Sequence, residues 1–252
     1  MQRRWMVPPV IGLLWLVSLS ACSGEGDTPT PAPPALTASP AEGIWRGTTN
    51  SNRAVTGLVL DNGVYWLLYS AVGKPSLLEG FIQGTSSAQS GAFTSSDARD
   101  FNLQTGLLTG TINGSYVTKQ NLSGTIAYQN STQSTFSTAY DTDYELTPDP
   151  NAIAGTYSGS VTATETATAI LTSTGTVSGS SSAGCLFSGT FVPRTDGNVF
   201  TVTITFGGQS GCTLGTQTVN GIGLFDAATK QLTSAAWNSG KTDGFVFIGT
   251  KP

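Results

Sequence analysis

The sequence predicts an all-β protein: two consecutive antiparallel β-barrel or β-sandwich units of about 100 residues each, following a disordered tether. Three observations predict it. Apolar residues recur at every second position in short runs bounded by turn residues, Asn62-Gly63 stands between two such runs, and no capped amphipathic helix of more than two turns presents itself. The organisation expected from these patterns is residues 1–21, 22–41, 42–148 and 149–252.

Residues 1–21 carry a pattern of their own. Arg3 and Arg4 give a positive start, residues 10–17 give an apolar stretch too short to span a bilayer, and Leu19-Ser20-Ala21-Cys22 closes it with small side chains. The segment is similar to the signal peptides of bacterial lipoproteins, and its last four residues resemble their lipobox. That resemblance implies cleavage before Cys22 and acylation of Cys22, palmitate included, as the new N-terminus. Because Ser23 rather than aspartate follows, it also implies lipid anchoring at the outer membrane, with the periplasmic and cell-surface faces both open. Several chains suffice for anchoring, since each buried methylene contributes about 0.8 kcal/mol and a single chain is marginal.

Residues 22–41 read as the tether. Pro29, Pro31, Pro33, Pro34 and Pro40 lie among Thr, Ala and Ser, a composition that stays extended and has little apolar surface to dock with.

The first unit opens with Gly43-Ile44-Trp45-Arg46-Gly47-Thr48. Residues 55–61 and 64–69 then flank Asn62-Gly63 as a hairpin, because both turn residues tolerate positive φ. Tyr65, Leu67 and Tyr69 point one way along the second strand while Trp66 and Leu68 point the other. Both faces are apolar, so this strand is expected to be covered on both sides, and residues 245–248 repeat the situation. Packing between the two units accounts for such coverage. The functional alternative is a hydrophobic or sugar-stacking site with Trp66 and Tyr69 at its edge. Trp45, Tyr65, Trp66, Tyr69 and Trp237 are therefore the candidate binding residues.

The second unit echoes the first. Gly155-Thr156-Tyr157-Ser158-Gly159-Ser160 repeats the opening, Phe187-Ser188-Gly189-Thr190-Phe191 matches Leu78-Glu79-Gly80-Phe81-Ile82, and residues 247–252 rhyme with residues 144–148. Thr147-Pro148-Asp149-Pro150 serves as the linker. Phe200, Val202, Ile204 and Phe206 alternate with threonines, as a half-buried strand requires. Leu224-Phe225, the turn-like residues 226–229 and the run 232–237 predict another hairpin. Turn signals give about seven or eight strands per unit. The Gly-x-Trp opening resembles the first strand of lipocalin-like barrels, which implies that Trp45, and Tyr157 after it, plug one barrel end. A lipidated, proline-tethered pair of β units also resembles the transferrin-binding surface lipoproteins in broad architecture. Their motifs have no match here, so their ligand does not carry over.

Cys22 aside, Cys185 and Cys212 form an even pair in a chain expected in an oxidising compartment, and are expected to form a disulfide. A closed loop of about 28 residues contributes roughly 3.5 kcal/mol in the chain-entropy account.

Composition excludes much chemistry. The chain has no histidine, which removes Ser-His-Asp and Cys-His catalysis and His-ligated zinc or haem, and the residues name no cofactor and no metal. Removing Arg3 and Arg4 with the signal leaves nine of the 11 basic residues against 15 acidic ones, a net charge of −6. Such a surface repels nucleic acid. Gly240-Lys241-Thr242 mimics the end of a phosphate-binding loop, but Ala235 stands where its first glycine belongs and a strand follows. Asp141, Asp143 and Glu145 alternate with Tyr140, Thr142 and Tyr144. In a strand they would share one face about 7 Å apart, a spacing compatible with glycan hydrolysis or calcium, or simply with a solvated face. The function expected is non-catalytic: an envelope lipoprotein, held to outer-membrane lipid through Cys22, that binds a protein, glycan or hydrophobic partner for adhesion, recognition or scaffolding. The alternatives are a periplasmic enzyme inhibitor, with the stretch around Lys74-Pro75 as its presenting loop, and a glycan-acting hydrolase using Asp141, Asp143 or Glu145.

Overall fold

Alternation of inward apolar and outward polar residues makes strands, and enough consecutive hairpins let a sheet close on itself and lose its edges. Both units do this. The computed structural model describes residues 39–252; the segment expected to be a signal peptide, Cys22 and the expected tether up to residue 38 lie outside the described residues.

The first unit contains β1 (Gly43–Thr49), β2 (Ala54–Val59), β3 (Val64–Ala71), β4 (Lys74–Thr85), β5 (Ser87–Gln89), β6 (Ala92–Asn102), β7 (Gly106–Val117), β8 (Asn121–Tyr128) and β9 (Gln133–Asp141). All pairings are antiparallel. β1 pairs with both β2 and β9, and β4 pairs with β6, closing an eight-stranded ring to which β5 adds a short flap. The second unit contains β10 (Gly155–Ser160), β11 (Thr166–Leu171), β12 (Thr176–Ser181), β13 (Leu186–Pro193), β14 (Phe200–Phe206), β15 (Thr218–Asp226), β16 (Gln231–Asn238) and β17 (Gly244–Thr250). These eight strands form a closed up-and-down barrel, sealed by β10 against β17.

The two barrels are built alike at their first strands. Gly43 and Gly155 adopt φ of +151° and +145°, a backbone region open to glycine and closed to side chains with a Cβ. Each bends the chain so that the aromatic residue two places on turns into the lumen. Trp45 is fully buried and donates its indole N–H to the Ala41 carbonyl at 3.1 Å. Tyr157, also fully buried, donates its hydroxyl to the Ile153 carbonyl at 2.8 Å. The second echo also falls on equivalent elements, since Gly80 lies in β4 and Gly189 in β13, the fourth strand of each barrel.

The third echo does not. Phe247 lies within β17, whereas β9 ends at Asp141 and Tyr144 belongs to a short 3-10 turn, η1 (Thr142–Glu145). The Asp141 side chain accepts from the Asp143 amide at 3.0 Å, and this local bond turns the chain out of the sheet. The expected acidic strand face therefore does not exist. The linker likewise contains a single helical turn, α1 (Pro150–Ile153), capped by the Asp149 carboxylate on the Asn151 amide at 2.8 Å.

Three apolar clusters organise the fold. One fills the first barrel around Trp45, Tyr65, Leu67 and Phe93, and another fills the second around Tyr157, Phe191, Phe200 and Phe247. The remaining cluster lies between barrels, joining Leu58, Trp66, Leu68 and Phe81 to Ile222, Leu224, Trp237 and Ile248. The two-sided strands are thus explained: β3 and β17 each give alternate residues to their own lumen and to the neighbouring barrel.

Candidate functional site

A barrel stoppered at one end leaves the other available, and side chains projecting inward there decide what can enter. The first barrel carries a cavity of about 320 Å³ near the loops after β1 and β6, and the second a cavity of about 130 Å³. They share no lining residue and differ in chemistry.

The cavity of the first barrel is polar. The chain reaches it through an irregularity in β6: Phe93 and Ser95 point inward, the register shifts between Ser95 and Ala98, and Ala98, Asp100 and Asn102 then point inward instead. One inserted residue inverts the alternation, as a β-bulge does. Asp100 is only 6% exposed. Its two oxygens accept from the hydroxyls of Tyr69 and Tyr128, both at 2.6 Å. Asn102 donates to the Tyr69 oxygen and to Glu79, each at 3.2 Å. Glu79 receives both terminal nitrogens of Arg53, at 2.9 and 3.2 Å, while Arg53 also donates to the Ser70 carbonyl at 2.8 Å.

Burial governs the electrostatics here. Removal from water pushes the Asp100 carboxyl above its ordinary value, although the tyrosine hydroxyls and the Arg53 charge pull the other way. Burial, reinforced by the Asp100 charge, raises both Tyr69 and Tyr128 so that they remain neutral donors. Burial also pushes Glu79 upward, but hydrogen bonds from Arg53 and Asn102 outweigh it and hold that carboxyl below the ordinary range.

The cavity of the second barrel is apolar. Phe187, Phe191, Phe206, Phe245 and Phe247 line it with Ala169 and Ile204. Ser181 contributes a buried hydroxyl that has no hydrogen-bond partner. The Cys185–Cys212 disulfide borders it, with Cα atoms 4.6 Å apart, and fastens the long connection between β14 and β15 to the start of β13.

The residues singled out from sequence are dispersed. Trp45 and Tyr65 are fully enclosed in the first barrel, where Tyr65 donates to Ser95 at 3.0 Å. Trp66 and Trp237 lie between the barrels, each against Phe81, with ring centroids 5.2 and 4.6 Å away. Their surface is spent on packing. Tyr69 lines the cavity of the first barrel and the other four candidates line neither cavity, while the Tyr69 partners Arg53, Glu79, Asp100, Asn102 and Tyr128 were not anticipated from sequence. Asp141 and Glu145 are held by Arg46 and Lys119 respectively, and Tyr140 donates its hydroxyl to Glu145. Among the described residues no three His, Cys, Asp or Glu side chains converge to hold a metal ion. Lys74 and Pro75 are exposed at the start of β4, next to Val72 at the tip of the β3–β4 hairpin. Lys241 belongs to the tight turn between β16 and β17 and donates to Gln83 of the first barrel at 2.8 Å. The sequence matches no protein-family model and no curated protein.

Proposed function

We propose that this chain is a non-catalytic binding lipoprotein of the bacterial envelope, anchored to the outer membrane through acylated Cys22, whose second barrel holds a small, mostly apolar ligand. One observation carries the ligand assignment: a phenylalanine-lined lumen of about 130 Å³ in which the Ser181 hydroxyl is buried without a partner, with Glu165 and Thr213 also in its lining. An engineered apolar cavity of about 150 Å³ stays dry and takes up benzene, so this lumen suits one ring or a short aliphatic chain. A buried hydroxyl without a partner costs about 1–3 kcal/mol, which a ligand bearing one polar group would recover. Few convergent polar groups in an apolar recess are the usual make-up of a small-molecule site.

The test is calorimetric titration of the Cys22→Ser protein, which should leave the membrane fraction, with toluene and with p-cresol. Both should bind saturably, p-cresol more tightly by about 1 kcal/mol, the net value of one hydrogen bond. Ser181→Ala should erase that preference and keep toluene binding, and Ala169→Phe should fill the lumen and abolish both. Absence of saturable binding by either compound would reject the assignment.

A further inference from the structure

The lumen of the first barrel holds a charge with no ionic partner in contact. Arg53 and Glu79 neutralise each other through a two-pronged ion pair, leaving the Asp100 carboxylate served only by neutral hydroxyls. With Asp100 ionised, the three groups sum to one negative charge, and Asp100, only 6% exposed, stands where water screens it poorly. The cavity of about 320 Å³ beside it has aromatic walls as well. Tyr69, Tyr128 and Phe136 line it, and aromatic faces attract cations. Arg53 already exploits this, its guanidinium carbon standing 5.4 Å from the Tyr69 ring centroid.

We propose that this lumen binds a small organic cation, an amine or a quaternary ammonium, with Asp100 as its counter-charge and Tyr69, Tyr128 and Phe136 as its walls. An anion is disfavoured because Arg53 already has Glu79 as its counter-charge and Asp100 would repel it. A bare metal ion is disfavoured because no three His, Cys, Asp or Glu side chains converge there among the described residues, and the Asp100 oxygens are already engaged by two tyrosine hydroxyls. The cavity of the second barrel does not enter the argument, so this site stands or falls separately from it.

The experiment titrates the purified protein with choline and with its neutral isostere 3,3-dimethyl-1-butanol, which keeps the shape and removes the charge. Choline should bind saturably and at least about tenfold more tightly than the isostere. Asp100→Asn should remove that difference and leave p-cresol binding in the other barrel unchanged. The isostere comparison needs no variant and decides the matter even if Asp100→Asn fails to fold. Equal binding of the two compounds, no binding of choline, or full choline affinity in a folded Asp100→Asn protein would overturn the proposal. Saturable binding of glucose in place of choline would overturn it in favour of a neutral polar ligand.

Discussion

Asp100 is a carboxylate kept almost wholly out of water, and its stability consequences follow from its raised pKa. Between the ordinary carboxylate range and that raised value, the folded chain holds a proton the unfolded chain has lost. Stability must therefore fall as pH rises through the folded value and recover as pH drops back. Glu79 acts in the opposite sense. Its pKa is depressed, so its pairing with Arg53 stabilises above the ordinary Glu range and is lost on acidification through the lowered value. The two effects occupy different windows. Replacing Asp100 by Asn is expected to raise stability at neutral pH relative to the native protein and to remove the gain the native protein shows on mild acidification. Urea midpoints measured from neutral pH down to the ordinary carboxylate range check this. Parallel pH profiles for the two proteins would contradict the assignment of the titration to Asp100. Glu79→Gln should instead flatten the acid limb below that range.

Elements explain why some of this was legible in the chain and some was not. Gly63 turns the β2–β3 hairpin at φ +80°, although Asn62 does not take the positive φ expected of it, and the unbroken alternation from Phe200 to Phe206 set β14, where a local rule and the global barrel agree. In β6 they part. Simple alternation from Phe93 assigns Asp97, Arg99 and Phe101 to the lumen, whereas the shift between Ser95 and Ala98 sends Asp100 and Asn102 there and turns Phe101 toward the other barrel. The signal was present in Ser96-Asp97, whose Asp97 carboxylate accepts from the Thr85 amide and the Ser95 hydroxyl, but a bulge is recognised only once its partner strands are known. The Asp141-to-Glu145 alternation misled for a similar reason: an aspartate that binds the amide two residues on starts a turn as readily as it continues a strand. The disulfide belongs to this scale too. It closes a separation of 27 residues around β13 and β14, worth roughly 3.5 kcal/mol in the chain-entropy account. Reduction is expected to destabilise the second barrel by about that amount and to loosen the end of its cavity that Cys185 lines. Denaturant melts with and without reductant, followed alongside p-cresol affinity, measure both. Lost affinity with an unchanged melt would show a local role for the bond rather than a global one.

At the scale of the molecule, the contact between barrels is a third core. Phe81, fully buried, lies at its centre with ring centroids 5.2 Å from Trp66, 5.6 Å from Phe101 and 4.6 Å from Trp237. Polar contacts border it: Arg194 pairs with Asp61 at 2.6 Å, the Asn198 amide donates to the Tyr144 carbonyl at 3.1 Å, and Lys241 reaches Gln83. Loosely joined domains meet through polar, mobile surfaces, whereas an interface packed like an interior transmits unfolding. The barrels should therefore unfold together, in one calorimetric transition whose measured enthalpy equals its van't Hoff enthalpy. Phe81→Ala empties the centre of the shared core and should cost about 3–5 kcal/mol, enough to separate the transition into two. Trp66 and Trp237 flank the vacated space, so their emission should shift toward that of exposed indole during the first step. Trp45, sealed in the first barrel, should hold until that barrel melts. Two transitions already present in the native protein, or a Phe81→Ala variant that still melts in one step with little loss, would mean that each barrel stands on its own core and that this contact couples nothing.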